Sequence, residues 1–104
     1  MLIRHGDVLL LPVAAAVLSA NAKLRDRDQG RVILAYGEVT GHAHAITEDT
    51  ARIMVEATGN EYLVVEDVAT LRHEEHATVE IPQGTYRIVH QREYTPEAIR
   101  NVAD

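Results

Sequence analysis

Apolar positions along this chain come in short blocks of alternating or continuous hydrophobicity, broken every eight to twelve residues by glycine, proline, asparagine or a charged pair. That rhythm predicts a β-barrel or sandwich rather than a helical bundle. The first block, Asp7 to Val13, reads as a strand buried on both faces. Ala14 to Asn21 is weakly patterned and is expected to be a loop or a single helical turn, followed by the charged loop KLRDRDQG. Strands are then expected over Arg31 to Glu38 and, after a Thr40-Gly41 turn, over His42 to Thr47. Ala51 to Ala57 and Glu61 to Asp67 flank Thr58-Gly59-Asn60, a hairpin-like turn in which Gly59 or Asn60 takes positive φ. Short strands at Ala69 to Arg72 and Thr78 to Ile81 bracket His73-Glu74-Glu75-His76, and Thr85 to Tyr94 forms the last strand. Thr95 before Pro96 has the signature of a helix start, so residues 96 to 104 are expected to form a short C-terminal helix.

Composition agrees with this class. With 104 residues and 46% hydrophobic content the chain is sized for one domain, 1 to 104, and its core must be aliphatic because Phe and Trp are absent. No linker or internal repeat divides it. The expectation is a mostly β, small single-domain barrel or sandwich with a C-terminal helix.

Charge narrows the function classes. The net charge is -6 at pH 7 and the ten Lys and Arg are scattered, the opposite of the basic footprint that nucleic acid requires. The opening stretch MLIRHGDVLLLPVAAAVLSANA imitates a secretory leader, but Asp7 and Pro12 interrupt it and it is read as an uncleaved strand, which goes with a cytoplasmic location. No stretch reaches the ~20 apolar residues of a membrane-spanning helix. Without cysteine, any metal must be held by His, Asp and Glu.

Histidine supplies the candidate chemistry. Of six in the chain, His42 and His44 stand two apart, which on a strand places both imidazoles on one face. His73 and His76 stand three apart around Glu74 and Glu75, a spacing that shares a face only on a helical turn, in a loop or at a bulge. These four histidines are the expected ligands of one transition metal, Zn, Ni, Fe or Mn, with Glu74 or Glu75 as a further ligand, an orienting group or a general base. His90 is read as a polar residue at a strand end, on the face of Tyr86 and Ile88.

Two resemblances accompany this reading. His42-Ala43-His44 with Glu48, followed by Ile81-Pro82-Gln83-Gly84, resembles the two motifs of cupins. That likeness implies a small metal-holding barrel with Glu48 as a ligand beside the histidines; the chain departs from it in placing Arg87 where the second motif has histidine and Val55 where the first has glycine. GDVLLLPV, GEVTGHAHAI and the stretch from HEEHATVEIPQGTYRIVH to the C-terminus are similar to a set of short bacterial sequences, some from mobile elements, and that similarity implies no particular activity.

Three classes follow: a metal-binding β-domain for a small ligand, a metal-dependent enzyme of cupin-like build, and a metal-free interaction module. A homo-oligomer is admitted because a small β-domain has edge strands to cover, and QREYTPEAIR, with Tyr94 and Ile99, is the candidate contact surface.

Overall fold

The computed structural model describes residues 2–37 and 41–90, and these build ten strands and one 3-10 turn. The expected helix over 96 to 104, the contact surface around Tyr94 and Ile99, and Thr40 of the expected turn lie outside the described residues. In chain order the strands are β1 Ile3–His5, β2 Val8–Val13, β3 Lys23–Leu24, β4 Val32–Tyr36, β5 Ala43–Ile46, β6 Ala51–Val55, β7 Glu61–Val65, β8 Ala69–His73, β9 His76–Ile81 and β10 Gly84–His90. The 3-10 turn at Ala15–Val17 occupies the weakly patterned stretch.

The strands pair antiparallel in two sheets, ordered β1-β2-β10-β7-β6-β3 and β4-β5-β8-β9. Both contribute to one aliphatic core, with Leu10, Ile53 and Leu63 from the first meeting Ile46, Leu71 and Ile81 from the second. The fold is therefore mostly β, as the apolar rhythm predicts, but it is not a closed barrel. Edge strands β1 and β3 hold three and two residues, too little backbone to lace the sheets into a cylinder. The closed form of the expected barrel is thus not what the described residues build. Among the described residues no helix is long and apolar enough to cross a membrane.

Two elements depart from the sequence reading. Ile3–His5 is a strand of its own, turned into β2 at Gly6-Asp7, and it was hidden by the leader-like apolar run beside it. The run itself is not buried on both faces: Val8 and Leu10 are fully buried while Leu11 and Pro12 are exposed. Pro12 sits beyond the last β2 residue paired with β1, where a strand tolerates a missing N–H.

Arg27 ties the charged loop to the segment between β5 and β6. Its guanidinium donates to the carbonyls of Gly30 (2.9 Å), Glu48 (2.7 Å) and Ala51 (2.9 Å), closing the charged loop onto β6. Arg27→Met leaves those carbonyls without their charged donor and is expected to cost about 1–2 kcal/mol in a urea-unfolding titration. An unchanged midpoint would show that water serves the carbonyls equally well.

Candidate functional site

Irregularities in strand pairing bring the histidines together. β8 and β9 form a tight hairpin in which His73 opposes His76 across Glu74-Glu75. From the Leu71 and Val79 pair to that pair, β8 advances by two residues and β9 by three, so β9 carries the extra residue of a β-bulge. A bulge resets the side-chain alternation. His76 thereby turns to the side that Leu71 and His73 face, which strict alternation from Val79 would deny it. The spacing of three, which required a departure from regular strand, obtains one here.

On β5, His44 shares a face with Ile46 and points to the side of the main core, 6% exposed. Its ring centroid lies 4.4 Å from that of His73 and 5.6 Å from that of His76, and the latter two are 4.8 Å apart. In a tetrahedral centre with Zn–N bonds of about 2.0–2.1 Å the ligand ring centroids lie roughly 5 Å apart, the scale of these separations. Among the described residues, however, no group of three or more His, Asp or Glu side chains is arranged so that it could hold a metal ion. Protein contacts explain part of this. His73 Nδ1 accepts the backbone N–H of Glu75 at 2.9 Å, so that nitrogen is occupied by the turn.

His42 lies outside this triangle. Its ring is 5.9 Å from His73, and its buried Nδ1 makes no hydrogen bond among the described residues, with Glu75 Oε2 standing 3.6 Å away. The place next to His44 is taken instead by His5, at the end of β1, 3% exposed and 5.0 Å away between ring centroids. His5 Nε2 is 2.9 Å from Ala77 O, the carbonyl of a residue in the bulged part of β9, and His5 Nδ1 is 2.8 Å from His44 Nδ1. Sequence reading passed over His5 because it has no histidine neighbour in the chain. The available signal was Gly6 beside it.

Gly6 adopts φ 61°, and a Cβ there would stand 2.7 Å from His76 Nε2 and 2.9 Å from His44 Cε1. Gly37, at the end of β4, is packed in the same way, with a notional Cβ 3.1 Å from His73 Nε2 and 3.0 Å from His42 Cβ. At Gly6 a side chain would be both strained and overlapping, whereas at Gly37 an added carbon asks its neighbours to give by a few tenths of an ångström.

Above the rings is a cavity of about 350 Å³, bordered by His44, His73 and His76. Asp7, Tyr36, Glu75 and His90 complete much of its wall, and among the described residues neither lysine nor arginine lines it. His90, the last residue of β10, is therefore a cavity residue as well as a strand end. Of the two glutamates in the turn, Glu75 reaches this cavity. Glu74 instead accepts the backbone N–H of Ala43 at 3.1 Å, and hydrogen bonds from its own amide and that of Ala43 hold its carboxyl below the usual range. Glu48 accepts the Thr70 backbone N–H at 2.9 Å; burial would raise its carboxyl, but the bonds from Thr70 and its own amide prevail and hold it low. Its bonded oxygen thus ties β8 to the loop after β5.

Burial is the largest cause of the low basicity of His44, whose pKa is pushed down to about 4, with His73, His5 and His76 adding repulsion and Asp7 opposing it. His5 is lowered for the same first reason, against its bond to Ala77. Unfolded histidine titrates near ~6.5. In the metal-free protein, stability is therefore complete above that value and falls as pH drops toward about 4, because the unfolded chain takes up the proton first. After discounting for the open cavity beside the ring, the loss from His44 is roughly 2 kcal/mol. Urea midpoints at neutral and mildly acidic pH are expected to diverge less in His44→Gln than in the parent; equal divergence would contradict the assignment.

Neither a curated protein nor a solved structure matches this chain. A family model described as a domain of unknown function, DUF8820, matches residues 4–91, which takes in β2 to β10, most of β1 and all six histidines, and the chain belongs to that family.

Proposed function

We propose that this protein binds one divalent transition metal ion at the histidine cluster, with His44 and His76 as principal donors. His73 joins them by a ring rotation that exchanges its bond with Glu75 for the metal. The observation that carries this reading is the mutual approach of three imidazoles, 4.4 to 5.6 Å between centroids, at the floor of a cavity whose other charged residues are Asp7 and Glu75. Such a wall repels anions and is relieved by a cation. Imidazole donors with carboxylate neighbours suit Zn, Ni, Fe or Mn better than Ca or Mg. His44 also has little proton to lose at neutral pH, so binding there is not taxed by deprotonation.

A second reading, metal-dependent catalysis on a small substrate, is favoured by the cavity itself. Its volume of about 350 Å³ is at the small end of ligand sites, and Glu75 on its wall is placed to act as a base beside an ion. Glu74, engaged with Ala43, does not line this cavity.

The test is cobalt substitution. One equivalent of Co²⁺ added to tag-free protein is expected to give the intense visible bands of a four- or five-coordinate nitrogen site, bleached by Zn²⁺. The weak spectrum of the hydrated ion at every ratio would overturn the reading.

A further inference from the structure

Two hydrogen bonds in the cluster have a direction that chemistry settles. Ala77 O is a carbonyl and only accepts, so His5 Nε2 carries the proton of their 2.9 Å contact. His5 is 3% exposed and packed 5.0 to 6.4 Å from three other imidazoles, surroundings that disfavour a second ring proton, so its Nδ1 is left with a lone pair. Across the 2.8 Å contact between Nδ1 atoms, His44 must then donate. A neutral His44 with its proton on Nδ1 has an unprotonated Nε2. This is not the preference of the free side chain, whose neutral form favours the proton on Nε2.

We propose that His5 is a positioning residue that fixes the tautomer of His44, using the bulge carbonyl of Ala77 as its anchor, so that His44 offers Nε2 to the metal. The functional half of this statement rests on the metal reading above. Metal-bound histidines commonly donate their second ring N–H to a carboxylate, carbonyl or water, which orients the ring and fixes its tautomer. Here a second imidazole fills that role. The chain of contacts is continuous, from the β9 bulge through β1 to β5, with the His5–His44 link buried and the His5–Ala77 link partly so. It also gives the bulge a second purpose: the extra residue that turns His76 to the side of His73 lies beside the carbonyl that receives His5.

Protein labelled with ¹⁵N in histidine, stripped of metal, separates the two halves of the idea. Long-range ¹H–¹⁵N correlation is expected to show His44 with a protonated Nδ1 and a bare Nε2, and His5 with the reverse. In His5→Phe, His44 is expected to revert toward the Nε2–H form and Zn²⁺ affinity to fall roughly 10–100-fold. His5→Asn, whose amide oxygen replaces the Nδ1 acceptor, is expected to restore the tautomer and much of the affinity. A parent His44 protonated on Nε2, or a tautomer that ignores both substitutions, overturns the role of His5. The stated tautomers in a protein that refuses Zn²⁺ would instead refute the metal reading and leave the hydrogen-bond relay standing. Should His5→Phe fail to fold, the parent and His5→Asn spectra still decide the matter.

Discussion

His44→Ala is expected to weaken Zn²⁺ binding by more than the roughly 10–100-fold that outer-shell changes cost, while His42→Ala is expected to cost less than tenfold. The two residues stand on the same strand reading in the sequence, and only their structural positions separate them. His44 is 6% exposed, faces His73 and His76, and borders the cavity. His42 precedes β5, and its ring meets the cluster at His73 across 5.9 Å. Calorimetric titration of both variants and of His76→Ala measures the difference. His76→Ala should fall with His44→Ala, because its Nε2 packs over Gly6 in the same shell. Equal losses at His42 and His44 would mean that the ion sits at the outer edge of the hairpin, between His42 and Glu75, and that the cavity plays no part in binding.

The second large effect is on stability. Gly6→Val is expected to destabilise the fold by about 3–5 kcal/mol, from two independent causes. The backbone at φ 61° is one that a β-branched residue adopts only under strain. The added carbon also lands 2.7 Å from His76 Nε2 and 2.9 Å from His44 Cε1; His44 is buried, so relief falls to the exposed His76 ring, whose withdrawal opens the cluster. Gly30→Val isolates the first cause, since Gly30 has φ 79° and open space where a Cβ would be. The melting temperature of Gly6→Val is expected to drop by roughly 12 °C or more, well beyond the drop of Gly30→Val. Matching losses in the two variants would show that the rings yield freely and that the cluster is loosely held.

The sequence made the class of the fold legible because its signals are local. Alternation in Ala51–Val55 and Glu61–Val65, and the Gly59 turn between them, need no knowledge of partners, and Gly59 indeed takes φ 94°. Elements without such signals were lost: Ile3–His5 is too short for its period to register, and Lys23–Leu24 sits inside a charged loop. The ends of strands moved for a related reason. HEEH reads as a polar loop, yet His73 and His76 belong to the strands because the turn uses Glu74 and Glu75 alone.

The site was half legible. Pairs of histidines close in sequence pointed to the β5 start and the β8–β9 hairpin, and the hydrogen-bonded β5·β8 pairing joins them. Which face each ring takes depends on a bulge in β9, a property of pairing register that no local pattern records. His5, 39 positions from His44, enters through tertiary contact alone. Glu48, which motif likeness casts as a ligand, has one oxygen bonded to the Thr70 amide, a contact no local pattern records.

Metal content tests the central claim most directly. Protein purified without a histidine tag and analysed by plasma mass spectrometry is expected to carry, or to take up from added Zn²⁺, close to one transition metal ion per chain, and to lose it in His44→Ala and His76→Ala. Metal-free protein that also refuses Zn, Ni and Fe would contradict the account and leave the five neighbouring imidazoles as a hydrogen-bonded core of a different purpose.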